Sequence, residues 1–145
     1  MICAQAEPAL ACTEAKGEGR GRILLVEDDP HVAETLAELL ELEGHAVLTA
    51  REAASGLARA RSLPIDLVLC DLTLRGDLDG FGFARTCRAD PGLRPLRLVA
   101  VSGHCGASDR RRAQEAGFDG LIAKPVALTE VHAAFAMAHP IREVG

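Results

Sequence analysis

The sequence predicts an α/β fold in which a parallel five-stranded sheet, doubly wound, is covered by helices on both faces. Three observations predict it. Five short apolar runs recur along the chain, unbroken instead of alternating, as strands buried on both faces require. Segments with helical spacing lie between them. Capping and stop residues punctuate the joins, so strand and helix alternate five times as a (βα)5 unit.

Residues 1 to about 20 are rich in Ala, Gly and Glu without periodicity and read as a disordered tail. The first run is Ile23–Val26. A helix follows over Pro30–Glu43 with apolar Val32, Leu36, Leu39 and Leu40, Asp29 as N-cap, Pro30 at the first helical position and Gly44 as the stop. Ala46–Leu48 is the second strand, and an Ala-rich helix over Ala53–Arg61 ends before Pro64. Leu67–Cys70 is the third strand. The next helix, Phe81–Arg88, gathers Phe81, Ala84 and Arg85 on one side and stops before Pro91. Leu98–Val101 is the fourth strand, followed by a helix over Arg110–Ala116 capped by Ser108 and closed by Gly117. Leu121–Ala123 is the fifth, and Thr129 caps a last helix through Ala138. One domain over 21–140 is expected, with 141–145 as a short tail.

Composition narrows the function. The 145 residues carry a net charge of −5, against the clustered positive surface that nucleic acids require. Arg110, Arg111 and Arg112 form the one basic run and read as a solvated helix face. Without Trp or Tyr, and with four Phe, the chain has no platform for stacking bases. No run approaches the roughly 20 apolar residues of a membrane span, and no signal peptide is apparent, so a cytoplasmic location is expected. Cys3, Cys12, Cys70, Cys87 and Cys105 form no C-x-x-C pair and read as reduced thiols, with Cys70 a small hydrophobe. Gly19-Arg20-Gly21 precedes the first strand instead of following it, so it forms no phosphate-cradling loop.

In an open parallel sheet, ligands bind beyond the carboxyl ends of the strands. Glu27, Asp28 and Asp29 follow the first strand, Asp71 the third, Ser102 the fourth, and Lys124-Pro125 the fifth. Asp29 is accounted for as a cap. Glu27, Asp28 and Asp71 would crowd their carboxylates, a situation relieved by a cation or by raised pKa values. Mg²⁺ suits such a set, since it takes oxygen ligands and works with one or two carboxylates plus phosphate. Lys124 stands out because the chain has two lysines, the other being Lys16, against fourteen arginines. A lysine here points to a compact charge on a flexible stem.

From about Ile23 to Ala138 the chain resembles the response-regulator receiver family of two-component signalling. The motifs are Ile-Leu-Leu-Val-Glu27-Asp28-Asp29-Pro30, Leu-Val-Leu-Cys-Asp71-Leu72 with Asp79-Gly80 downstream, Val-Ala-Val-Ser102-Gly103, Ala116-Gly117-Phe118-Asp119 and Lys124-Pro125. The resemblance implies the flavodoxin-like strand order 2-1-3-4-5. It implies that Asp71 accepts a phosphoryl group from a phosphohistidine on a sensor histidine kinase or histidine phosphotransfer protein. Asp28, Asp71 and the main-chain carbonyl of Thr73 would bind Mg²⁺, Glu27 would assist through water, Lys124 would neutralise charge, and Ser102 would bond a phosphoryl oxygen. It also implies a cis Lys124-Pro125 bond.

Relatives usually carry a proline after the acceptor and a loop one residue shorter than Leu72–Gly80. They often have Tyr or Phe where this chain has Leu121. His104, near the expected water-attack route, reads as solvent-exposed. An aspartate-nucleophile phosphatase is disfavoured, because its nucleophile follows the first strand and a second Asp would stand where Thr73 does. A pseudo-receiver acting as an interaction module is the alternative; it usually lacks an acid, the acceptor or the lysine. The expectation is a single-domain phosphorelay switch that promotes its own phosphorylation and dephosphorylation without turning over external substrates. Nothing after Ala138 is long enough for an output domain, and Arg94-Pro95 through Phe118-Asp119-Gly120 is similar to receivers of hybrid kinases. Output would therefore run through protein contacts or onward phosphotransfer.

Overall fold

A computed structural model describes residues 21–104 and 106–135. The tails expected over 1–20 and 141–145, Cys3, Cys12 and Cys105, and residues 136–138 of the last helix lie outside the described residues.

In chain order the elements are β1 (Arg22–Val26), α1 (Pro30–Leu42), β2 (Ala46–Ala50), α2 (Ala53–Ser62), β3 (Leu67–Asp71), α3 (Gly80–Ala89), β4 (Leu98–Ser102), α4 (Ala107–Ala116) and β5 (Gly120–Ala123). A final helix, α5, covers 128–135. All strands are parallel and their order is β2-β1-β3-β4-β5, as the resemblance implied. The three inner strands are buried along nearly their whole length, whereas β2 and β5 are partly exposed. Burial on both faces therefore holds for the interior of the sheet and fails at its edges, where each strand has a neighbour on one side only.

Side chains alternate across the sheet and build two cores. Leu24, Val26, Val68, Cys70, Leu98 and Ala100 meet α2, α3 and α4 on one face. Ile23, Leu25, Leu67, Leu69, Val99 and Val101 meet α1 and α5 on the other. Phe83, fully buried on α3, anchors the first core, a burial that contributes roughly 1.5–3 kcal/mol. Phe81, read on one side with Ala84 and Arg85, is only partly buried; α3 starts at Gly80, and its inner face carries Phe83, Ala84 and Cys87. Similarly, α1 buries Ala33, Leu36 and Leu40 and leaves Val32 and Leu39 exposed, so the buried stripe is narrower than expected. Gly56 lets α2 approach closely: a Cβ there would lie 3.0 Å from Val26 and 3.2 Å from Phe83.

Several ends behave as read. Asp29 Oδ1 accepts from the amides of His31 and Val32, and Gly44 and Gly117 take positive φ at helix stops. Two caps differ. Ser108 lies inside α4, whose N-cap is Gly106, with its amide donating to Asp109 Oδ2 at 3.2 Å. Thr129 lies inside α5, where the Ala127 carbonyl accepts the first helical bonds from Glu130 and Val131.

The amino ends of the strands bind acids of their own. Asp66 Oδ2 accepts the Arg22 amide at 2.8 Å. Asp119 Oδ2 accepts the Leu98 amide and Arg88 Nη2, each at 2.9 Å, and its Oδ1 lies 3.4 Å from Nη1 of buried Arg97. Among the described residues no helix is long and apolar enough to cross a membrane.

Candidate functional site

Asp71 and Ser102 are the last residues of β3 and β4, still inside the strands that were expected to end one residue earlier. Their backbones are held in register by the sheet, Asp71 opposite Val101 and Ser102 opposite Ala123. β1 ends at Val26 beside β3, so Glu27 and Asp28 emerge next to Asp71. Carboxylate oxygens of Glu27, Asp28 and Asp71 all lie within 4.8 Å of one another.

Lys124 reaches in from the end of β5. Its Nζ is 3.2 Å from Asp71 Oδ2 and 3.3 Å from Glu27 Oε1. Those two acids are nearly buried, with side chains 4% and 5% exposed, so the lysine interacts with them across little solvent. The Lys124 amide donates to the Ser102 carbonyl at 2.9 Å, tying the β5 end to the β4 end, and the Lys124–Pro125 bond is cis as expected.

The loop amides complete the set. Asp29 N–H donates to Glu27 Oε2 at 3.2 Å, and the Thr73 amide and hydroxyl both donate to Asp71 Oδ1 at 3.0 Å. The Arg75 amide donates to Asp28 Oδ2 at 3.1 Å. Burial works against charge on Asp71, but the Thr73 amide and Lys124 outweigh it and hold the carboxyl below its usual range. Burial pushes the Glu27 carboxyl up, the Asp29 amide opposes this, and the charge of Asp71 adds to the rise. Burial disfavours charge on Lys124 too, yet Asp71 and Glu27 together keep its ammonium form stable to higher pH than usual. The two acids are thus driven in opposite directions, Glu27 upward and Asp71 downward. A cluster of hard oxygen donors with an ionised member fits Mg²⁺, and Glu27, Asp28 and Asp71 are the residues able to hold it.

Every residue expected at the site stands at the carboxyl edge of the sheet. Glu27, Asp28, Asp71, Thr73 and Lys124 are joined by the contacts above. Ser102 is engaged locally: its hydroxyl donates to the His104 carbonyl and accepts from the His104 amide, each at 3.0 Å. Thr73 meets Asp71 through its amide and hydroxyl, a role beyond the carbonyl ligation expected of it. His104 is exposed, and Leu121 packs against the first core in a half-buried position.

Sequence reasoning missed two residues. Arg75 pairs with Asp28, its Nε 3.4 Å from Oδ2, and nothing in the spacing of a loop marks it. Gly80 sits directly against the Asp71 carbonyl, where a Cβ would clash, a contact that its place in the Asp79-Gly80 motif does not specify. The arginine run is solvated as read, although Arg112 also lies over the Phe81 ring, 4.5 Å from its centroid. Cys70 and Cys87 are buried free thiols, and burial pushes that of Cys87 up to about 11.

Comparison with known proteins agrees with this geometry. Residues 23–136 match the family model of the response regulator receiver domain. The chain is 37% identical over 106 residues to the DNA-binding response regulator MtrA of Mycolicibacterium smegmatis, covering 73% of this chain and 45% of that protein. It is 32% identical over 105 residues to protein PilH of Pseudomonas aeruginosa, covering 72% of this chain and 86% of PilH. Among solved structures it is similar to the receiver domain of sensor histidine kinase PA1611 from Pseudomonas aeruginosa, described with a magnesium ion coordinated in the active site cleft. The TM-score is 0.72 at 27% identity, covering 80% of this chain and 94% of that one. The chain spans less than half the length of the first curated relatives it matches.

Proposed function

The chain belongs to the response regulator receiver domain family of two-component signalling, and on that premise we propose that Asp71 is its phospho-acceptor, with Mg²⁺ held by Glu27, Asp28 and Asp71. The observation that carries the reading is a nearly buried carboxylate at a strand end, flanked by two more acids within 4.8 Å and bridged by Lys124 at 3.2 Å. Phosphoryl transfer is catalysed mainly by positioning and charge neutralisation, and this arrangement offers both.

In the proposed step an Asp71 carboxylate oxygen attacks the phosphorus of a phosphohistidine in line. The P–O bond forms as the P–N bond breaks, and the leaving imidazole keeps the electron pair and takes up a proton. Lys124 neutralises charge from the Asp71 side, and the Thr73 amide and hydroxyl orient the attacking carboxylate. Bound Mg²⁺ supplies charge neutralisation for the phosphoryl oxygens. Asp28, Asp71 and the main-chain carbonyl of Thr73 would hold the ion, and Glu27 would assist. The Ser102 hydroxyl exchanges its two His104 bonds for a phosphoryl oxygen, drawing the β4–α4 loop inward; this is the switch.

The donor would be a sensor histidine kinase or a histidine phosphotransfer protein, in the cytoplasm, and residues 21–140 would form the receiver unit. As a signalling domain it would turn over no external substrate.

Incubation with acetyl phosphate and Mg²⁺, followed by intact-mass measurement, tests the reading. Wild type should gain one phosphoryl group, chelation of Mg²⁺ should abolish the gain, and Asp71→Asn should show none. A folded wild-type protein that gains nothing and fails to bind beryllofluoride would instead be an interaction module without phosphorylation.

A further inference from the structure

Asp28 has a partner that phosphoryl transfer does not call for. Arg75, four residues past Asp71, donates its main-chain N–H to Asp28 Oδ2 and sets its guanidinium Nε 3.4 Å from the same oxygen. The Arg75 side chain is 92% exposed and that of Asp28 18%, so the guanidinium meets this carboxylate from an exposed position.

The chain holds Arg75 there by two means. Leu74 is buried, which fixes the course of the loop just before the arginine. Gly76 then turns the chain at φ +106°, a conformation other residues rarely adopt. The amide contact therefore belongs to the loop backbone, whereas the guanidinium contact is an addition that this side chain makes alone.

We propose that Arg75 is a tethered counter-cation that competes with Mg²⁺ for Asp28 and lowers the metal affinity of the site. The inference rests on the metal reading above. A guanidinium and a divalent cation seek the same anionic oxygen, and the arginine, being attached, is always present at high local concentration. Its hold is modest because the guanidinium is exposed. It therefore raises the Mg²⁺ concentration needed to fill the site without closing the site.

Magnesium titration followed by two-dimensional NMR of labelled protein measures the affinity without any phosphoryl chemistry. Wild type is compared with Arg75→Ala, Arg75→Lys and Arg111→Ala, the last removing an exposed charge on α4. Arg75→Ala should bind Mg²⁺ roughly two- to fivefold more tightly, the range an exposed ion pair supplies. Arg75→Lys and Arg111→Ala should stay close to wild type, and the gain should shrink at high salt. Equal affinity in Arg75→Ala and wild type overturns the competition. Weaker binding by Arg75→Ala also overturns it, making the arginine a strut for the loop. If no folded variant, nor wild type, responds to Mg²⁺, the metal reading itself fails and the proposal with it.

Discussion

The two ends of the sheet use the same residue type in opposite ways. At the amino ends, Asp66 and Asp119 stand singly among donors, the first on the Arg22 amide and the second on the Leu98 amide, Arg88 and Arg97. At the carboxyl ends, Glu27, Asp28 and Asp71 crowd together around one lysine. Strand polarity explains the contrast. A parallel strand opens on main-chain N–H groups that a carboxylate satisfies, and closes on carbonyls that it cannot. Acids at the closing edge must draw on loop amides, such as those of Asp29, Thr73 and Arg75, and on cations. An acid with its own donor set is structural; acids facing one another are poised to take a ligand.

The contrast breaks most visibly at Asp119. Asp119→Ala strips Arg97, 8% exposed, of its carboxylate and leaves the Leu98 amide without that acceptor; we expect a loss of about 2–3 kcal/mol in denaturant unfolding. A loss below about 0.5 kcal/mol would mean that the amino-end acids are not structural. Asp66→Ala removes one amide acceptor from β1 and should cost about 1 kcal/mol by the same measurement.

Glu27→Gln should act with the opposite sign. The wild-type carboxyl is raised, so the folded chain holds its proton to higher pH than the unfolded chain does. Wild type therefore loses stability as pH climbs from the ordinary glutamate range through the raised value. The glutamine has nothing to titrate, so in chelator at pH 7 the variant should be the more stable by under about 1 kcal/mol. That gain should fade as pH falls below the ordinary range, where the wild-type carboxyl is neutral too. A less stable variant at pH 7 would show that the Lys124 pairing outweighs the crowding.

Much of this was legible in the chain because it rests on short-range rules. Unbroken apolar runs mark the five strands, and the acids that follow the first and third must share one edge once the strands run parallel. The rest depends on distance in space. No local pattern gives Asp66 a role, and Asp119 enters only within the Ala116-Gly117-Phe118-Asp119 motif, until the fold brings them to the amides of Arg22 and Leu98. Ser108 reads as the cap of α4, but Gly106 takes that place through its backbone, with Asp109 accepting the bond from its amide. Phe81 and Phe83 are two residues apart on one helix, and the spacing of Phe81, Ala84 and Arg85 does not say which face of α3 meets the sheet; Phe83, Ala84 and Cys87 do. The partner of Arg75 lies 47 residues away, beyond the reach of any local pattern.

Gly80 carries a consequence for how such a domain diversifies. Its amide donates to the Leu72 carbonyl at 3.4 Å, and its missing side chain lets it rest on the backbone of Asp71 and Leu72. The intervening segment is therefore a closed eyelet whose two ends meet, and its contour length is uncoupled from the scaffold on either side. The cost of closing such a loop grows only slowly with length. A residue more or less between Leu72 and Gly80 changes what the eyelet presents to the site, as Arg75 illustrates, while β3 and α3 keep their places. The fold can thus exchange this segment as an interchangeable part, with the acceptor strand and the helix behind it left undisturbed.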